Sequence, residues 1–268
     1  MTSRLMLKCR AFASLAFWLL SVMAVIGGAV TACDGGSDAG TAPALDTSSA
    51  GVKVMPLGDS ITESTTGLSS YRYFLWHLMI SNGYHVDFVG SQHGVGNGPP
   101  ANSDFDMDHE GHSGWRADEI LAHIHAWAAA ASPDVVLLHI GTNDLRQGQS
   151  VDSTLTDIGG IVDALRTVNP RIRILLAQLI PRTGDSLISS LNAALPALAA
   201  GKDRPESPIV LVDQYTGFDL SSMTYDGTHP NDIGDARMAD RWFDKLTPAL
   251  DALLTGAAPA AGEDPPRN

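Results

Sequence analysis

Five short apolar, β-rich runs alternate with five helix-like stretches along this chain, and no other feature of the sequence constrains the fold as tightly. The runs fall at 52–57, 85–89, 135–140, 172–179 and 209–212; the helix-like stretches are 71–82, 116–131, 151–168, 186–200 and 232–254. A strand that returns to its sheet through a helix lies parallel to the one before, and the helices then cover both faces. The runs are continuously apolar, as strands buried on both sides must be. The reading is an α/β fold with a parallel sheet between helical layers. Ligands of such sheets bind beyond the carboxyl ends of the strands.

The ends of the chain read differently. Arg4, Lys8 and Arg10 precede a nearly unbroken apolar run over 11–30, the pattern of an export signal, although the run is also long enough for a retained membrane helix. Val30-Thr31-Ala32-Cys33 resembles the lipobox of bacterial lipoproteins, which implies a lipidated Cys33 and a protein held outside the cytoplasmic membrane. The expected organisation is a signal at 1–32, a Gly/Ser/Ala/Thr-rich linker at 33–50, a catalytic domain at 51–255 and a disordered tail at 256–268. The only cysteines are Cys9 and Cys33, so the domain has no disulfide, no thiol nucleophile and no thiolate metal site. Formal net charge is −13, and without the first 32 residues 14 bases face 30 acids. Such a surface repels phosphate backbones and anionic headgroups, so no nucleic-acid partner is expected, and the membrane is reached through the lipid anchor alone.

Three polar clusters follow the apolar runs: Gly58-Asp59-Ser60, Gly141-Thr142-Asn143-Asp144 and Asp226-Gly227-Thr228-His229-Pro230. A parallel sheet brings them to one edge. Their residue types suit acyl transfer. A serine hydroxyl needs a base to take its proton, histidine titrates near working pH, and a neighbouring carboxylate fixes the histidine's tautomer. Asp226 and His229 are close enough for one turn to present both, and Pro230 keeps His229 out of the helix that follows. The Asn143 amide and the backbone of Gly111-His112-Ser113-Gly114-Trp115 can donate to an oxyanion.

In this order the clusters resemble the SGNH (GDSL-type) hydrolase superfamily, over about residues 52–254. The resemblance implies a three-layer α/β/α sandwich with a five-stranded parallel sheet, flavodoxin-like in outline. It implies Ser60 as nucleophile, His229 as base and Asp226 as its orienting acid, with oxyanion donors from Ser60 N–H, Gly114 N–H and the Asn143 side chain. Longer stretches are similar to carbohydrate esterase family 3, the acetyl xylan esterases and their relatives: 54–63, Tyr71-Arg72, 86–91 and 109–115. That similarity implies a short-chain ester substrate, an acetylated polysaccharide. Asp59 and Trp115 are then the candidates for lining the substrate pocket. The alternatives are a lipase, lysophospholipase or thioesterase of the same fold, and a non-catalytic glycan-binding lipoprotein; the latter predicts damage to at least one block, and none is damaged. No cofactor is expected.

Other polar residues read more plainly. Ser113 lacks the closing glycine of the G-x-S-x-G elbow, which disfavours an ordinary α/β-hydrolase. His123 and His125, two apart on a helix, face different ways and are read as exposed; His112 and His139 are read as supporting the site loops. Asp104, Asp106, Asp108 and Glu110 alternate as calcium ligands can, but without EF-hand spacing, so a solvated acidic loop is preferred. Trp76, Trp127 and Trp242, on helices, are assigned to the core.

Overall fold

The computed structural model describes residues 51–184 and 186–255. The expected signal, the linker with Cys33 and the tail lie outside the described residues. Seven strands are formed: β1 (Val52–Gly58), β2 (Val86–Phe88), β3 (Gln92–His93), β4 (Asp108–Gly111), β5 (Val135–His139), β6 (Arg173–Ala177) and β7 (Ile209–Val212). The helices are α1 (Ser60–Glu63), α2 (Ser70–Ser81), α3 (Ala117–Leu121), α4 (Ile124–Ala131), α5 (Thr142–Arg146), α6 (Val151–Val168), α7 (Leu187–Lys202), α8 (Leu220–Met223) and α9 (Asp232–Leu254).

The sheet runs β3-β4-β1-β5-β6-β7, with β2 also on β1. Every pairing is parallel except β3 with β4. The expected count of five strands is therefore corrected to seven, and the register explains the difference. Val54 pairs with both Phe88 and Val135, and Leu57 pairs with both Glu110 and Leu138, so β2 and β4 lie end to end along the edge of β1 opposite β5. One position of the sheet is thus built from two short pieces, and β3 adds an antiparallel margin. Gly90, just after β2, makes the join possible: a Cβ there would lie 2.0 Å from the His109 carbonyl oxygen.

Successive residues of the central strands serve opposite faces. Val54, Val135, Leu137, Leu175 and Ala177 pack with Tyr71, Leu75 and Met79 of α2 and with Met238, Trp242 and Leu246 of α9. Met55, Leu57, Val136, Leu138, Ile174 and Leu176 pack with Ile120, Ile124, Ile158, Ile161 and Leu195 of the opposite layer. The three-layer sandwich follows from this two-sided burial. Trp242 is fully buried, whereas Trp76 and Trp127 are half-buried. The single helix expected over 116–131 is two, because the chain tightens at Ala122–His123, where His123 N–H bonds back to the Ile120 carbonyl.

The acidic stretch 104–110 is not simply a solvated loop. Asp104 faces His77, Asp106 accepts from the backbone N–H groups of Phe88 and Asp108, and Asp108 pairs with His93. Glu110 is fully buried and accepts from Ser91 N–H, the Ser91 hydroxyl and His112. These carboxylates serve separate partners, and among the described residues no three His, Cys, Asp or Glu side chains gather as a metal site.

The stretch between β3 and β4 is held by one buried side chain. Arg72 of α2 is 0 % exposed and donates only to backbone carbonyls: Thr62 and Glu63 of α1, and Gly94 and Met107 at the two ends of that stretch. Burial pulls its pKa down to about 10, so the guanidinium stays charged at neutral pH.

Candidate active site

β1 and β5 end side by side, and two of the polar clusters follow from their carboxyl ends, while the third lies between α8 and α9. Gly58 closes β1 where a Cβ would meet the His139 carbonyl at 2.4 Å, so only glycine lets the chain turn into α1. Asp59 then caps α1, its Oδ1 accepting from Ile61 N–H at 3.0 Å. Ser60 is the first residue of that helix, and its Oγ lies 2.9 Å from Nε2 of His229.

His229 is held from two sides. Asp226 Oδ2 is 2.7 Å from His229 Nδ1, and Asp226 Oδ1 accepts from the backbone N–H groups of Thr228 and His229. A carboxylate can only accept, so Nδ1 carries the proton, and the neutral ring turns a lone pair on Nε2 toward the Ser60 hydroxyl. Burial alone would raise the Asp226 pKa, but the bonds from His229 and Thr228 outweigh it and hold the carboxyl below its ordinary value. The loop itself is tied down: Tyr225 N–H bonds to the His229 carbonyl, Gly227 N–H to the Thr224 hydroxyl, and Thr183 N–H to the Gly227 carbonyl. The ring of Tyr225 stacks on that of His229 at 5.7 Å between centroids and 15° between planes.

Ser60, Gly114, Asn143 and His229 line one cavity of about 450 Å³. Gly114 has φ +81°, its carbonyl accepts from Gln147, and the preceding Ser113 N–H donates to Glu63 Oε2 at 2.6 Å. Glu63 ends the helix that Ser60 begins, so the candidate nucleophile and the glycine loop are clamped to each other. Asn143 donates one amide hydrogen to the Trp115 carbonyl at 3.0 Å, which leaves its second for the cavity. Asp144, the last residue of its block, is scaffold: buried, it accepts from Ala117 N–H at the start of α3, and burial pushes its pKa up to about 6.

The structure therefore gathers Ser60, Asp226, His229, Gly114 and Asn143, and it corrects two expectations. Asp59 does not line the pocket. It is fully buried, with the Thr142 hydroxyl beside its carboxylate. Burial pushes its carboxyl up to about 6, against the opposing effects of the Ile61 N–H and of His229. Trp115 does not line it either; its ring stacks on His112, which in turn stacks on Trp127. The walls come instead from residues that the motifs do not mark, among them Ser64, Thr65, Asn97, Arg146 and Tyr225. Arg146 was within reach of sequence reasoning, being one helical turn beyond Asn143. Asn97 carried no signal, because it lies in an irregular stretch outside every motif, held at its ends by Arg72.

His112 meets Glu110 at 2.7 Å beneath the glycine loop, and His139 is buried under the site with its pKa pushed down to about 4 by desolvation. His123 and His125 are exposed.

Known proteins resemble this chain in sequence and in fold. Residues 57–237 match the GDSL-like Lipase/Acylhydrolase family. A multidomain esterase of Ruminococcus flavefaciens is 28% identical over 237 residues, covering 79% of this chain and 30% of that protein. A putative endoglucanase X of Acetivibrio thermocellus is 27% identical over 143 residues, covering 53% of this chain and 62% of that one. The chain thus spans less than two thirds of either curated relative. Among solved structures, an acetyl esterase mutant with an acetate ion superposes with a TM-score of 0.69 at 34% identity, covering 75% of this chain and 99% of its own. A carbohydrate esterase family 3 protein of Talaromyces cellulolyticus gives 0.68 at 35%, covering 75% and 98%. A family 3 carbohydrate esterase of Clostridium thermocellum gives 0.67 at 33%, again covering 75% and 98%.

Proposed function

The chain belongs to the GDSL-like lipase/acylhydrolase family, and we propose that it is an esterase that removes short acyl groups, acetyl foremost, from carbohydrate. The observation that carries the substrate class is the cavity wall. Its side chains are hydroxyls, amides, charged groups, the His229 imidazole and the phenol ring of Tyr225, with no Val, Leu, Ile, Met or Phe among the described lining residues. A fatty acyl chain gains about 0.8 kcal/mol per methylene only where apolar surface receives it. Sugar hydroxyls, in contrast, find donors and acceptors all round this wall. The similar acetyl esterase and carbohydrate esterase structures support the same reading.

In this mechanism His229 Nε2 takes the Ser60 hydroxyl proton as Oγ attacks the acyl carbon, while Asp226 holds the ring and steadies the imidazolium that forms. The oxyanion is received by the N–H groups of Ser60 and Gly114 and by the free amide hydrogen of Asn143. Collapse breaks the ester C–O bond, and the imidazolium returns its proton to the departing sugar hydroxyl. Water then gives a proton to His229 and its oxygen to the acyl carbon, releasing the carboxylic acid and restoring Ser60.

A chain-length series of 4-nitrophenyl esters, run beside acetate release from acetylated xylan, tests this. We expect kcat/KM to be highest for acetyl and to fall steeply by octanoyl. Preference for octanoyl with no acetate released from any acetylated polysaccharide replaces this reading with the lipase one.

A further inference from the structure

We propose that Arg146 selects a glycan bearing a carboxylate, a hexuronate beside the ester, as the acyl carrier. This rests on the carbohydrate esterase reading above. Arg146 lies three residues after Asn143 on α5, and residues so spaced share a helix face, so both reach the same cavity. That face cannot roll. Asp144 is fastened to Ala117 N–H and Asn143 to the Trp115 carbonyl, on either side of the turn.

Arg146 is exposed, and no hydrogen bond or ion pair joins it to another described residue. Arg72 is engaged with carbonyls, Arg116 with Asp118, Arg166 with Ser207 and Arg237 with the Thr216 carbonyl, while Arg171, Arg173, Arg204 and Arg241, which like Arg146 have no such side-chain bond among the described residues, do not line the cavity. A chain with 30 acids and 17 bases does not lack partners for a cation. Arg146 is nevertheless left free, and it is the only Lys or Arg among the described residues lining the cavity. A guanidinium meets a carboxylate through two parallel N–H···O bonds, a geometry that also sets orientation. The domain's overall negative field opposes any anionic glycan, so a local cation is what such a substrate needs at the point of contact. Single charge fits better than double. Asp226 lines the same cavity, and one guanidinium does not compensate a phosphate dianion beside it.

The test compares acetylated methyl glucuronoside with acetylated methyl glucoside, which differ in a carboxylate against a hydroxymethyl group. Wild type, Arg146→Gln and Arg146→Lys are assayed on both, with melting curves confirming that each variant folds. Wild type should favour the uronoside by about tenfold in kcat/KM, the size of one charge-assisted contact. The preference should shrink as ionic strength rises. Arg146→Gln should erase it through KM, and Arg146→Lys should keep part of it. An equal kcat/KM for the two sugars in wild type, or a preference that survives in Arg146→Gln, overturns the proposal while leaving the esterase reading intact. Arg146-dependent preference for 4-nitrophenyl hemisuccinate over both sugars overturns it too, by placing the charge on the acyl group. Cleavage of neither acetylated sugar, with octanoyl esters cleaved, fails the underlying reading.

Discussion

Replacing Asp59 by asparagine should make the protein more stable and the site slower. The carboxyl is fully buried, and burial lifts its pKa from the ordinary 3.8 to about 6 against the opposing effects of the Ile61 N–H and the Thr142 hydroxyl. An acid raised in this way holds its proton more tightly when folded, so folding is favoured in acid and opposed as pH climbs from about 4 to about 6. Above that window the gap of about two units costs about 3 kcal/mol, at about 1.36 kcal/mol per unit. Asparagine keeps an oxygen for the Ile61 N–H, removes the charge and offers an N–H to the Thr142 hydroxyl. At about pH 8, denaturant melts of Asp59→Asn should therefore show a gain approaching about 3 kcal/mol, shrinking steeply toward pH 4 and vanishing only near about pH 2, where both states of the wild type are protonated. Asp144 and the fully buried Asp235, both raised by burial, remain, so the variant's pH profile should flatten in part rather than disappear. Turnover should move the other way. The Asp59 anion and His229 attract each other, and losing it weakens support for the imidazolium. A variant equally destabilised at about pH 8 and pH 4 would refute the reasoning.

Ser60→Ala and His229→Ala should each lower kcat at least about a thousandfold with little change in melting temperature, and Asp226→Ala less, since the three act as a unit; single-turnover assays decide it, and near-normal turnover in Ser60→Ala ends the mechanism. Asn143→Ala should lower kcat by about a hundredfold, with KM for acetyl esters moving far less. Glu63→Ala frees Ser113 N–H and the glycine loop, so kcat should fall about tenfold with KM nearly constant, while Glu63→Gln, which can still accept that bond, restores most of the loss. A fall in KM alone in Glu63→Ala would contradict the clamp.

The layered fold was legible because its strands are apolar on both faces, and a run such as Val135 to Leu138 has few other ways to be buried. β4 was hidden for the opposite reason. Asp108-His109-Glu110-Gly111 looks solvated, yet His109 and Glu110 are buried, His109 accepting from Gly111 N–H and Glu110 from the distant Ser91, which sequence cannot place. Its alternating acids carried a period of two, which is the strand's own period rather than a cation's. The nucleophile, base and acid were legible because few residue types perform those steps. The pocket walls were not. Trp115 is adjacent to Gly114, but the positive φ there turns the next ring into the layer of Trp127, whereas Tyr225 reaches the cavity from a loop over a hundred residues away in the chain.

Arg72 gives the cavity a property that no lining residue has. Between β3 and β4 the chain has neither strand nor helix of its own, and the domain has no cysteine with which to cross-link it. Four carbonyls, on both ends of that stretch and on the nucleophile's helix, instead share one guanidinium at the centre of the fold. The wall that carries Asn97 is thereby held at both ends by one buried side chain. Substrate meets a surface already ordered, with no folding of a lid to set against the free energy of association. The arrangement is also indifferent to redox state, so the same wall stands in an oxidising or a reducing medium.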